Sequence, residues 1–196
     1  MAKIKTLTNG TKKEVILKNA AALFRKKGFK ATSLRELADT MHIEAPSLYN
    51  HIKSKAELLQ EICFGVATDF TTHMEEVLLS KQTATEKIEN LICFHIEKIY
   101  TNFDNVFVSN HEWKQLPKKQ LGDFLKQRKV YENNFITIVE DGINQKLFKN
   151  LNSKIVVLTM LSAVRGVEFL HSHMNEFTVQ SLEENMVQHL LTGIKK

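Results

Sequence analysis

The chain has 196 residues, 43% of them apolar, with two prolines, seven glycines and a formal charge of +5. Such a length and composition supply a full core and exclude a low-complexity or collagen-like polymer. The charge is uneven: residues 1–60 hold twelve Lys/Arg against five Asp/Glu (+7), and the remainder holds fifteen against seventeen (−2), so the N-terminal third is the part suited to a polyanion.

Residues 1–10, MAKIKTLTNG, lack the apolar core of a signal peptide and read as a flexible basic arm, with Lys3 and Lys5 within reach of a phosphate backbone. Thr11 with Glu14 has capping-box spacing and opens a helix that runs to Gly28. Ser33 with Glu36 repeats the device. Leu34, Leu37, Ala38 and Met41 follow at i, i+3, i+4 and i+7, one apolar face of a short helix. Ile43 provides a buried residue in the connection, and Pro46 sits in the first turn of the next helix, where its missing N–H is not needed. In that helix Leu48 faces inward, which leaves Ala45, Ser47, Tyr49, Asn50 and His51 mostly outward. Hydroxyls, an amide and an imidazole on one surface suit a DNA groove edged with phosphates. Ser54 and Glu57 form a third capping box, with Lys55 in the first turn beside unpaired N–H groups where a phosphate can sit.

From Ser54 onward the pattern is a succession of amphipathic helices with no Pro/Gly-rich linker. They are expected over about 54–79, 83–100, a less regular 103–112, 117–144, 153–173 and 178–193, the last two separated by MNEF. With no alternating strand pattern, the fold class is all-α: a three-helix helix-turn-helix unit over 11–58 and a six-helix domain over 59–196. No run of eighteen apolar residues occurs, so neither a membrane partner nor a membrane span is expected, and the expected compartment is the cytoplasm. Cys63 and Cys93, one per helical pattern, read as reduced core thiols.

Residues 12–59 resemble the N-terminal domain of the TetR family of bacterial transcriptional regulators: ALF in a helix ending at Gly28, then FKATSLRELAD, then SLYNHIKSKAELL. The resemblance implies a homodimeric regulator, usually a repressor, that reads a pseudo-palindromic double-stranded operator and is released by a small-molecule effector. It places Ser33, Arg35, Ala45, Pro46, Ser47, Tyr49, Asn50, His51, Lys53 and Lys55 at the DNA, with Tyr49 and Lys55 on phosphates and Asn50 and Ala45 on bases. It also places the last two helices in a four-helix dimer interface, where Ser162, Ala163 and Gly166 let helices approach. One position departs from the pattern. Most members carry Gly where this chain has His42, at a turn that requires left-handed backbone.

Ten of twelve phenylalanines lie after residue 60, the composition of a core and equally of a tunnel for an apolar ligand. Candidate lining residues are Phe70, Phe94, His95, Phe107, Trp113, Tyr131, Phe135 and Phe169, with His73 a further candidate for orienting a headgroup. The stretch EWK with Leu116, the basic helix after Pro117 and Tyr131–Glu132 leading to Phe135 resembles the effector domain of the branch that regulates fatty-acid and steroid catabolism. That implies a fatty acid or acyl-CoA effector, with Lys118, Lys119, Lys126, Arg128 and Lys129 as a phosphate-pairing patch or simply a solvated helix face.

Two other readings stay open. A drug-efflux regulator sensing lipophilic cations needs Glu97, Glu112 or Glu168 turned toward the ligand. A helical metal enzyme needs more than the single Glu-x-x-His formed by Glu168 and His171, near His173, because a di-iron centre uses two; Arg165 with Glu168 is more simply an ion pair at helical spacing. No nucleophile elbow, phosphate-cradling loop or dinucleotide fingerprint occurs, so neither enzymatic activity nor a cofactor is expected.

Overall fold

The structure is a computed structural model that describes residues 11–173 and 176–196; the basic arm expected over 1–10 lies outside them. Nine α-helices occur among the described residues: α1 Lys12–Lys27, α2 Leu34–Thr40, α3 Ala45–Tyr49, α4 Lys55–Leu79, α5 Ala84–Thr101, α6 Phe103–His111, α7 Lys118–Asn144, α8 Ser153–Gly166 and α9 Val179–Thr192. No strand is present among those residues, so the all-α expectation holds.

The capping boxes are realised unequally. At α1 the box is complete: Glu14 N–H donates to Thr11 Oγ1 at 3.3 Å and Thr11 N–H donates to Glu14 Oε2 at 2.7 Å. Thr83 and Glu86 close the same box on α5. At α2 only half forms, Glu36 N–H donating to Ser33 Oγ at 3.1 Å, because the Glu36 carboxylate pairs with Lys27 at the end of α1. The Ser54 box slips by one residue: Glu57 N–H donates to Ser54 Oγ, but the Glu57 carboxylate accepts from Lys53 N–H.

His42 lies at φ 54, the left-handed region its position requires. Ile43 N–H donates to Ala38 O at 3.0 Å and His42 N–H to Asp39 O at 3.1 Å. Together these bonds make a Schellman motif with His42 in the place usually held by glycine. Lys146, at φ 62, ends α7 the same way, through Leu147 N–H to Gly142 O and Lys146 N–H to Ile143 O. Packing requires glycine at 142. A Cβ on it would lie 2.2 Å from two carbons of the buried Phe148 ring.

The last expected boundary is corrected. In place of one helix over 153–173, α8 ends at Gly166 and the chain tightens into a 3-10 turn over Val167–His173. Glycine is a weak interior helix residue, and the tighter turn begins directly after it.

Two compact units emerge. The first joins the described residues through Thr68 with Asp104–Leu125; the second joins Asp69–Phe103 with Lys126–Lys196. Leu37, Leu48, Leu58, Leu59, Val108, Leu116 and Phe124 form one buried cluster, so α6 and the start of α7 complete the core of the helix-turn-helix unit. A unit of about 50 residues buries a small share of its surface, and these added residues enlarge its core. In the second unit α5 packs against α8 and α9, with Ile88, Leu91, Ile96, Phe135, Val157 and Met160 buried. Both α4 and α7 run without interruption from one unit into the other.

Candidate functional site

The helix-turn-helix surface is built by α2, the Schellman turn and α3. Leu37, Ile43 and Leu48 are buried beneath it, which fixes which way the remaining side chains project. Ser33, Arg35, Pro46, Tyr49, Asn50 and Lys53 are exposed, Tyr49 at 57%, while Ala45, Ser47 and His51 are half-buried. Arg35 and Lys53 make no side-chain ion pair among the described residues. The surface thus offers a phenol, an amide and two cations around one short helix.

Lys55 is different. Its ammonium donates to Thr32 O at 2.6 Å, Phe29 O at 2.7 Å and Lys30 O at 3.3 Å, and lies 4.5 Å from the Phe29 ring centroid. An ammonium has three donors, and three carbonyls take them. Lys55 therefore staples the start of α4 to the connector between α1 and α2, a correction to its expected place as a phosphate contact. Sequence spacing does not betray this, since the carbonyls lie more than twenty residues away.

Within the same unit, Glu112 Oε1 accepts from Phe29 N–H at 3.1 Å, and Arg25 pairs with Asp104. These tie α6 and the residue after it to α1. Trp113 and Phe107 belong to this unit as well, Trp113 packing on the helix-turn-helix core and Phe107 stacking on His111. The candidate aromatic residues are thus divided between the two units.

Their remainder gathers in the second unit. Phe70 from α4 lies 5.3 Å from Phe94, 4.5 Å from His95 and 6.0 Å from Tyr131, centroid to centroid. His95 Nε2 and Tyr131 Oη share a hydrogen bond of 2.9 Å. Burial drives the His95 pKa down from 6.5 to about 3, helped by the positive Arg165, and it raises that of the Tyr131 phenol, so both are neutral. His73 stacks flat on Phe94 at 3.8 Å, with its own pKa lowered by burial. Its Nδ1 is buried without a hydrogen-bond partner, an arrangement costing about 1–3 kcal/mol if left empty. Sequence reasoning gave His73 a lesser place than His95, because an orphaned nitrogen has no sequence signature. Phe135 is buried in this unit. Phe169 is not part of the lining: it is 82% exposed.

Phe169 instead stands exposed on the 3-10 turn after α8. On α8 itself Ile155, Leu158 and Ser162 are exposed at the three- and four-residue spacing of a helix-pairing seam, with exposed Leu151 just before the helix. Ala163 and Gly166 are half-buried beside this seam. Among the described residues no group of three His, Cys, Asp or Glu side chains is arranged to hold a metal; His171 stacks on Phe103, and the side chain of His173 lies outside the described set. Among the described residues no helix is long and apolar enough to cross a membrane.

A basic helix-turn-helix unit joined by continuous helices to an all-α unit with an aromatic cluster defines a DNA-binding regulator of the one-chain kind. The comparisons agree. Residues 81–194 match the family "Tetracyclin repressor-like, C-terminal domain" and residues 16–62 match "Bacterial regulatory proteins, tetR family". The chain belongs to the TetR family, and it is a ligand-responsive, DNA-binding transcriptional regulator. Among curated relatives, the HTH-type transcriptional repressor KstR2 of Mycolicibacterium smegmatis is 26% identical over 140 residues, 71% of this chain and 68% of the relative. Among solved structures, the ketosteroid transcriptional regulator KstR2 of Mycobacterium tuberculosis superposes with a TM-score of 0.90 at 21% identity, covering 99% of this chain and 100% of that one. AibR in complex with isovaleryl coenzyme A and operator DNA gives 0.81 at 19% identity, covering 91% and 97%.

Proposed function

We propose that the protein is a homodimeric repressor whose operator complex is dissolved by an acyl-CoA or a related apolar acyl ligand bound in the second unit. The observation that carries the effector reading is the Phe70, Phe94, His95 and Tyr131 cluster: an aromatic body with buried polar tips and no carboxylate among these four residues. The similarity to KstR2, a transcriptional repressor, and to AibR, solved in complex with isovaleryl coenzyme A and operator DNA, supports it. A lipophilic-cation sensor is less well served: Glu97 is exposed, Glu112 accepts from Phe29 N–H in the first unit, and the half-buried Glu168 lies in the field of the Arg165 guanidinium. The exposed seam of Ile155, Leu158 and Ser162 supports pairing of two chains through α8.

On the DNA side, Tyr49, Lys53 and Arg35 contact phosphates, while Ala45 at the start of α3 and Asn50 at its C-cap read bases. Effector binding acts through α4, which carries both Lys55 and Phe70: a ligand favouring a different setting of α4 shifts the two reading helices from the spacing of about 34–36 Å that successive major grooves demand.

The test is selection of bound sites from a random duplex library, followed by anisotropy titration with decanoyl-CoA. An enriched pseudo-palindrome is expected, with apparent Kd raised about tenfold or more by the thioester. Tyr49→Ala should weaken every sequence, and Asn50→Ala should relax preference at one position of each half-site. No enriched palindrome, or an affinity indifferent to saturating decanoyl-CoA, overturns the corresponding half of the proposal.

A further inference from the structure

The chain that leads into the reading helices is held by a carboxylate 83 residues downstream. Residues Gly28 to Thr32 run from the end of α1 to Ser33, the cap of α2, and their backbone groups need partners outside any helix. Two side chains take Phe29 from both sides of its backbone: Glu112 Oε1 accepts its N–H at 3.1 Å, and Lys55 Nζ donates to its carbonyl at 2.7 Å. Lys55 also donates to the carbonyl of Thr32, the residue before the cap, at 2.6 Å. Glu112 is aimed by its own backbone. Its N–H donates to Val108 O at 2.8 Å, its carbonyl accepts from Gln115 N–H at 2.9 Å, and Val108 and Leu116 on either side share the buried cluster of Leu37 and Leu48. Among the described residues no cation pairs with Glu112, so the Phe29 amide is what its carboxylate holds.

We propose that Glu112 is a positioning residue for operator reading: with Lys55 it clamps Phe29, fixing the exit from α1 and so the frame in which α2 and α3 present Arg35, Tyr49 and Asn50. This role rests on the reading of α2 and α3 as the DNA surface, and no effector enters it. Operator reading needs those side chains in register with base edges, whereas nonspecific binding rests on charge and tolerates a looser frame. Loss of the clamp therefore removes specificity before it removes binding. A merely structural role would lower both affinities together or neither.

The experiment measures the full chain by anisotropy against the duplex enriched from the random library and a scrambled duplex of equal length, and follows amide exchange by NMR without DNA. Glu112→Leu should lower the ratio of the two affinities by about tenfold or more. Exchange should quicken by about tenfold at Phe29 and at Leu37, whose N–H bonds Ser33 O in the first turn of α2, with Ile88 and Leu91 of the second unit unchanged. Glu112→Gln keeps an acceptor oxygen at the same reach and should hold both readouts to within about threefold of wild type. Glu112→Asp, which withdraws the carboxylate by one methylene, should fall between the two and covers the case in which the leucine variant fails to fold. An unchanged affinity ratio, equal losses in the glutamine and leucine variants, or exchange at Leu37 that does not quicken overturns the proposal. Unaltered operator binding by Tyr49→Ala beside the expected Glu112→Leu losses sinks the contact assignment and leaves the clamp standing.

Discussion

Lys55 and His73 lie on one helix, yet their polar atoms meet opposite fates. In the first unit the Lys55 ammonium is consumed by three backbone carbonyls, Glu112 by Phe29 N–H and Glu36 by Lys27. The second unit leaves His73 Nδ1 with no partner and displays Leu151, Ile155, Leu158 and Phe169 to solvent. A DNA-reading surface must present side chains in fixed register, and internal hydrogen bonding supplies that rigidity. An effector unit gains by the reverse. Unsatisfied groups are where a ligand or a second chain contributes free energy that the lone chain lacks.

The sharpest way to break this contrast is acid. His95 is buried neutral with a pKa of about 3, while in the unfolded chain it takes up a proton below about 6.5. The unfolded state therefore binds the proton first, and the stability that His95 contributes should fall steadily as pH drops below 6.5 toward 3. Urea denaturation across that range checks it, with His95→Gln expected to give a visibly flatter profile. An unchanged slope in the variant removes His95 as the acid-sensitive group.

Gly142→Ala probes packing in the second unit. With a Cβ 2.2 Å from Phe148, the ring or the helix must move, and a loss of about 2–3 kcal/mol is expected in thermal denaturation. A change below about 0.5 kcal/mol would mean that Phe148 repacks freely. Lys55→Met tests closure of the first unit. Removing the donor shared by three carbonyls should cost about 2 kcal/mol, with the salt dependence of DNA binding unchanged. A salt slope reduced by about one, at constant melting temperature, would instead return Lys55 to the phosphates.

His42→Gly should have the smallest effect and the opposite sign. The φ of 54 costs a histidine about 1 kcal/mol, so glycine should raise stability by up to that amount in a urea titration. Destabilisation would reveal a contact of the imidazole that matters more than its backbone.

The sequence alone determined what depends on near neighbours. Capping spacings, the apolar stripe of Leu34, Leu37 and Ala38, Pro46 in a first turn and the left-handed demand at His42 are local, so the all-α fold and the helix-turn-helix were legible from them. His95 and Tyr131 were also legible as candidates, being polar-tipped rings on apolar faces. Only tertiary structure decided which distant atoms meet. It sent Lys55 to carbonyls more than twenty residues back, moved Phe107 and Trp113 to the helix-turn-helix unit, and left one nitrogen of His73 empty. The physical reason is that periodicity specifies which face of a helix is buried, whereas the partner across that face is fixed by packing the whole chain at once.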